Sequence, residues 1–66
     1  MDTMTLTAKT RRAINKYGIE ACRICWTENR VNGEGGTVCA MASGLHINST
    51  SAAINAYEEY RKATNA

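Results

Sequence analysis

The sequence predicts a small all-α domain of three to four helices that begins with a long N-terminal helix. Three features predict this fold: apolar residues recur about every 3.6 positions through the first half, proline is absent, and three of the five glycines fall within residues 33–36. The 66 residues make one domain, 1–66, without internal repeats. Because so short a chain buries only about 60% of the surface that its unfolded form exposes, we expect a thin core.

The first helix is expected to run from residue 6 to about residue 29, with Thr5 or Thr7 as its N-cap. Gly18 is its weak point, because a glycine inside a helix costs about 1 kcal/mol relative to alanine. The alternative is a pair of helices, 6–17 and 19–28, joined by a bend. The apolar pattern keeps its register across Gly18, which favours one continuous helix.

Five basic side chains lie on one side of this predicted helix. At about 100° per residue they fall within an arc of about 60°, and the apolar set is centred about a quarter-turn or more away. Such a stripe faces either solvent or a partner, and it is the candidate partner-binding surface. Its members are Lys9, Arg12, Lys16, Arg23 and Arg30.

Two shorter helices are expected after the glycine-rich segment 32–36, which has the composition of a loop. Thr37 can cap a helix over residues 38–43, and Gly44 ends it in the position where glycine commonly closes a helix. The third helix is expected over residues 52–62, after a run of polar residues that can serve as its N-cap.

The second half of the chain can form a helix-turn-helix. Ala40-x3-Gly44-Leu45 has the spacing that lets one helix close onto the next, and the third helix would then read DNA while basic residues of the first hold phosphates. The turn is two residues longer than the tight motif, and Glu58 and Glu59 place negative charge on the reading helix. The candidate DNA-reading residues are Asn48, Ser49, Thr50, Ser51 and Asn55.

Metal and catalytic chemistry have weaker support. Cys22, Cys25, Cys39 and His46 make a possible Cys3His zinc set, but the first two cysteines fall inside a periodic helix, which is more typical of small buried residues. His46 is the single histidine, and nothing around the cysteines resembles a nucleophile signature. We therefore expect no metal, no cofactor and no enzymatic activity.

The net charge of +2 is mild, so electrostatics alone predicts weak, salt-sensitive binding to nucleic acid. Without an apolar run of signal-peptide or membrane-span length, the chain is expected in the cytosol of a bacterium or host cell, with reduced cysteines.

A second apolar strip on the long helix, formed by Ala8, Ile19 and Trp26, predicts a homodimer. The alternative is that the C-terminal helix covers this strip.

Three segments together resemble short phage-encoded helical accessory proteins. They are 33–38, Gly44-Leu45 and 52–56, and the resemblance spans residues 17–60. It implies a single-domain, non-catalytic binder that regulates phage genes or blocks a host enzyme or defence complex, and it assigns no residue a role. The favoured hypothesis is a stoichiometric inhibitor or modulator of a host or phage macromolecule. The alternative is a helix-turn-helix-like DNA-binding regulator of transcription.

Overall fold

The computed structural model describes residues 6–65, which form four α-helices: α1 (Ala8–Tyr17), α2 (Ile19–Trp26), α3 (Gly36–Ser43) and α4 (Thr50–Asn65). A π-helical turn (Thr27–Val31) continues α2, and a 3-10 turn (Ile47–Ser49) leads into α4. All elements in this range are helical, so the predicted all-α class is confirmed. In the same range, no helix is long and apolar enough to cross a membrane.

Gly18 ends α1, so the continuous first helix favoured by the apolar register is wrong. Its backbone adopts φ 90° and ψ 139°, a conformation that glycine reaches without the penalty a Cβ atom brings. The Gly18 N–H donates to the Ile14 carbonyl at 2.8 Å, and its own carbonyl accepts from the Cys22 N–H at 3.1 Å. One residue therefore closes α1 and opens α2, as in the two-helix alternative.

The core lies where α2 packs against α4, while α1 packs mainly on α4 and α3 packs mainly on α2. Its fully buried side chains are small: Cys22, Cys25 and Cys39 are 0% exposed, as is Ala53. Small side chains let the helix backbones approach closely, whereas several large apolar residues remain outside this cluster. The exposed ones are Ile19, Val31, Val38, Met41 and Ile47.

Local signals located some helix ends correctly and misplaced others. The Thr7 hydroxyl accepts from the Thr10 N–H at 3.2 Å, which confirms Thr7 as the N-cap of α1, and Gly44 ends α3 with φ 79°. Thr37, predicted to cap the next helix, lies inside α3, which begins after Gly35 without a side-chain cap. Because the 3-10 turn supplies the entry to α4, that helix begins at Thr50 rather than at residue 52.

Helix α4 covers Trp26, one of the residues proposed for a dimer interface. The indole ring lies 5.4 Å from the Tyr57 ring centroid, its Nε1 donates to the Glu58 Oε1 at 2.9 Å, and the Arg61 guanidinium lies 4.4 Å from its centre. The break at Gly18 also separates Ala8 from Ile19 and Trp26. The apolar strip behind the homodimer prediction is therefore not formed, and the homodimer itself stays a prediction.

Candidate nucleic-acid interface

Two adjoining cavities form a groove between α1 and the start of α4. Their volumes are about 430 and 500 Å³, and they share Lys9, Ala13 and Ala52 as lining residues. Ala13 and Ala52 are small and face each other from the two helices, which leaves the space between the longer side chains open. We call this feature the α1–α4 groove; its principal lining residues are Lys9, Arg12, Ala13, Lys16, Asn48, Ser51, Ala52 and Asn55.

One wall of the groove is cationic. Lys9, Arg12 and Lys16 are exposed and lie at helical spacings of three and four residues, so that they share one face of α1. Within residues 6–65 none of the three forms a salt bridge, although the Lys16 Nζ lies 5.6 Å from the Tyr17 ring centroid. We call these three residues the cationic wall of the groove.

The other two members of the predicted basic stripe lie elsewhere. The break at Gly18 turns α2 away from α1, and the Arg23 Nε pairs there with the Glu20 Oε1 at 2.9 Å. The Arg30 Nε lies 3.5 Å from the Glu58 Oε1. The stripe of five is therefore three groove residues and two arginines that form ion pairs outside the groove.

The second wall of the groove is polar and comes from the start of α4 and the turn before it. Asn48, Ser51 and Asn55 are exposed and line the groove. Thr50 is buried instead, with 6% of its surface exposed, and its hydroxyl donates to the Ile47 carbonyl at 2.9 Å. Ser49 is half-buried. Of the five predicted DNA-reading residues, three therefore form the polar face of the groove, and Thr50 serves the fold.

A further cavity of about 290 Å³ lies next to the groove along the start of α4 and is lined by Arg30, together with Asn29 and Gly36. Ser51 and Asn55 line this Arg30 cavity as well as the α1–α4 groove. The start of α4 thus projects between two cavities, with the cationic wall of α1 on one side and Arg30 on the other.

The two carboxylates of α4 are held by intramolecular donors. The hydrogen bond from the Trp26 indole, followed by the charge of Arg30, lowers the pKa of Glu58. The backbone N–H of Thr7, followed by the Thr10 hydroxyl, lowers the pKa of Glu59, whose Oε1 accepts from the Thr7 N–H at 3.0 Å. Both groups remain ionised at neutral pH, and Glu59 closes one end of the α1–α4 groove.

The proposed Cys3His zinc set is not assembled, because His46 lies apart from the three cysteines. The three cysteines are buried in the core, whereas His46 is exposed and its Nδ1 accepts from the Asn48 N–H at 3.1 Å. Burial, followed by the neighbouring Cys39, raises the pKa of Cys25 to about 11, and burial also raises the pKa of Cys22. Both thiols are therefore protonated at neutral pH, and across residues 6–65 no group of three potential ligands has the arrangement of a metal site.

Sequence reasoning missed the residues that shape the groove and those that fix its walls. Ala13 and Ala52 were not singled out, although small residues on two helices are a signal that these helices can approach closely. The contact of Glu59 with Thr7 links residues 52 positions apart, and that of Trp26 with Glu58 links residues 32 apart. Sequence spacing carries no signal for such pairs.

Comparison of the chain with protein-family models, with curated proteins and with solved structures gives no match. The resemblance to short phage-encoded accessory proteins therefore stays a prediction.

Proposed function

We propose that the protein binds double-stranded DNA without catalysing a reaction, with the start of α4 directed at the bases. The observation that carries this proposal is the position of Ser51 and Asn55 between the α1–α4 groove, which presents Lys9, Arg12 and Lys16, and the Arg30 cavity, which presents one arginine. The major groove of B-DNA is about 12 Å wide and admits one α-helix between two phosphate strands. A polar helix end flanked by cations on both sides has the matching distribution of charge.

The residue types suit the two kinds of contact that such a complex needs. Lysine and arginine of the cationic wall bind phosphates, which positions the protein without reading sequence. Asparagine can contact the N6 and N7 atoms of adenine with its amide, and serine can contact several base edges. Asn55 and Ser51 are therefore the proposed reading residues, and Asn48 is the polar group at the edge of the same face.

Glu58 and Glu59 place negative charge on α4, and negative charge on the reading helix opposes DNA binding. Glu59 accepts from Thr7, at the N-terminal end of α1, and Glu58 accepts from the Trp26 indole. Both lie beyond Asn55, toward the C-terminal half of α4. The part of the helix that would enter the major groove therefore carries no acidic residue, since residues 50–57 contain none.

Charge sets the expected strength and salt dependence. Each phosphate contact contributes about −0.9 to the slope of log K against log salt, so the three residues of the cationic wall predict a slope of about −2.7. At about 0.1 M salt one such contact is worth roughly eightfold in affinity. Affinity is then expected in the micromolar range of weak, electrostatically driven complexes.

The experiment compares Arg12→Gln with Arg11→Gln in a fluorescence anisotropy titration of labelled duplex DNA at several salt concentrations. Arg12 lines the groove, whereas Arg11 has the same charge on the same helix, and its Nη1 donates to the Leu6 carbonyl at 3.3 Å. We expect Arg12→Gln to weaken binding by roughly eightfold at about 0.1 M salt and Arg11→Gln to have a smaller effect. Equal losses for the two variants would contradict the proposed interface.

The second candidate is a stoichiometric inhibitor or modulator that binds a host or phage protein. It is supported by the apolar face of α3, where Val38 and Met41 are 38% and 79% exposed and lie three residues apart, so that they share one side of the helix. Capture from a bacterial lysate with and without nuclease separates the two functions. A nuclease-resistant partner that is lost in Met41→Glu supports this candidate, and nuclease-sensitive capture supports DNA binding.

A further inference from the structure

Arg30 is placed to bind a phosphate on the flank of α4 that adjoins the α1–α4 groove, but in the free protein it faces a carboxylate. Its side chain is 51% exposed, and its Nε lies 3.5 Å from the Glu58 Oε1. It also lines the Arg30 cavity beside Ser51 and Asn55. One arginine therefore lies between an internal anion and the surface at which the proposed DNA partner would bind.

The pair is weak enough to exchange. Ion pairs with exposed members contribute little, because water and salt screen them, and Arg30 is half exposed while Glu58 is 33% exposed. Glu58 is held more firmly by a different donor, since the same Oε1 accepts from the Trp26 Nε1 at 2.9 Å. When an external phosphate approaches, Arg30 can turn toward it while Glu58 stays on Trp26.

We propose that Arg30 is the phosphate-binding residue of the Arg30 cavity and that Glu58 is its intramolecular competitor, which must release it before DNA is held on both flanks of the start of α4. This inference rests on the proposed DNA-binding function. It adds a contact on the second strand and a residue that limits affinity. Non-specific binding then remains weak until the cationic wall and Arg30 are both engaged.

The decisive variant is Glu58→Gln. Glutamine is isosteric and retains an oxygen that accepts from the Trp26 indole, so the change removes the charge that holds Arg30 and leaves the packing intact. We expect duplex affinity to rise by roughly two- to fivefold, the factor that corresponds to an exposed ion pair. In the Arg30→Gln background the same substitution should have no comparable effect, because no arginine is left to release.

The matched control is Glu20→Gln. It also removes one negative charge and frees one arginine, because Glu20 pairs with Arg23 at 2.9 Å, but neither residue lines the groove or the Arg30 cavity. The affinity of this variant should stay within about 1.5-fold of wild type, since both residues are exposed and outside the two cavities, and water and salt screen exposed charges. This control separates the release of Arg30 from a general change in net charge.

The outcomes distinguish the inference from the function on which it rests. If wild type binds duplex DNA and Glu58→Gln behaves as Glu20→Gln does, the inference is wrong and the proposed function stands. If wild type binds no duplex, both are wrong. Circular dichroism and Trp26 fluorescence check the fold. If Glu58→Gln does not fold, Arg30→Gln decides instead. It should reduce the magnitude of the slope of log K against log salt by about 0.9, while Arg23→Gln leaves that slope unchanged. Equal slopes in these two variants would overturn the inference.

Discussion

Replacing Gly18 with alanine is expected to destabilise the protein by about 1–3 kcal/mol, the cost of holding a residue with a Cβ atom in a backbone region used mainly by glycine. The cause is the backbone rather than crowding, because φ is +90° and no atom lies within 4 Å of an added Cβ. The alternative for the variant is a straight helix, which alanine favours over glycine by about 1 kcal/mol. A straight helix would move α1 or α2 away from α4, so neither conformation avoids a loss.

Urea unfolding followed by Trp26 fluorescence measures this effect, because α4 packs on that ring in the folded state. A small domain unfolds with a slope of about 1 kcal/mol per molar urea, so the midpoint should fall by about 1–3 M. Gly35→Ala is the matched control, since Gly35 has φ −82° and open space around its Cβ position. A Gly18→Ala protein as stable as Gly35→Ala would show that the break at Gly18 does not hold α1 and α2 in place.

Two further predictions concern ionisation and the core. Hydrogen bonds lower the pKa values of Glu58 and Glu59 below the ordinary value of 4.5. The two ionised carboxylates therefore contribute fully to stability above pH 4.5, and this contribution is lost as pH falls through their lowered pKa values in the folded state. Urea midpoints measured between neutral and acidic pH should therefore decline less steeply in Glu58→Gln than in wild type, and identical declines would contradict this. Cys25→Ala should reduce the free energy of unfolding by about 1 kcal/mol without abolishing the fold. Zinc that wild type binds stoichiometrically and that Cys25→Ala does not bind would contradict this prediction and indicate a metal site.

Features that depend on neighbouring residues in the chain were predictable. The helical period, the Thr7 cap and the glycine that ends α3 all rest on contacts within a few residues, and each is present. The three cysteines are buried, as expected of small residues in helices, and their role in packing rather than metal binding stays a prediction. In each case a short sequence window contains the whole physical cause.

Features that depend on distant contacts were not predictable. The register across Gly18 was compatible with a straight helix, and only the packing of α1 and α2 against α4 requires the bend. A straight helix places Arg23 and Arg30 on the same face as Lys9, Arg12 and Lys16, and the predicted basic stripe therefore included all five residues. The residues of both walls were therefore predictable from the sequence, as a basic stripe and as a set of candidate DNA-reading residues, whereas their meeting in one groove depends on the packing of α4 against α1.

A titration of ¹⁵N-labelled protein with a duplex of about 20 base pairs, which is two turns of DNA, tests directly whether the α1–α4 groove binds DNA. The amide chemical shifts report which residues are affected. The proposed interface predicts that the amide shifts change most on the two walls of the α1–α4 groove, at Lys9, Arg12, Ser51 and Asn55. The amide shifts of Val38 and Met41 on α3 should not change. Changes concentrated on α3, or no change at low salt, would contradict the assignment of this groove to DNA.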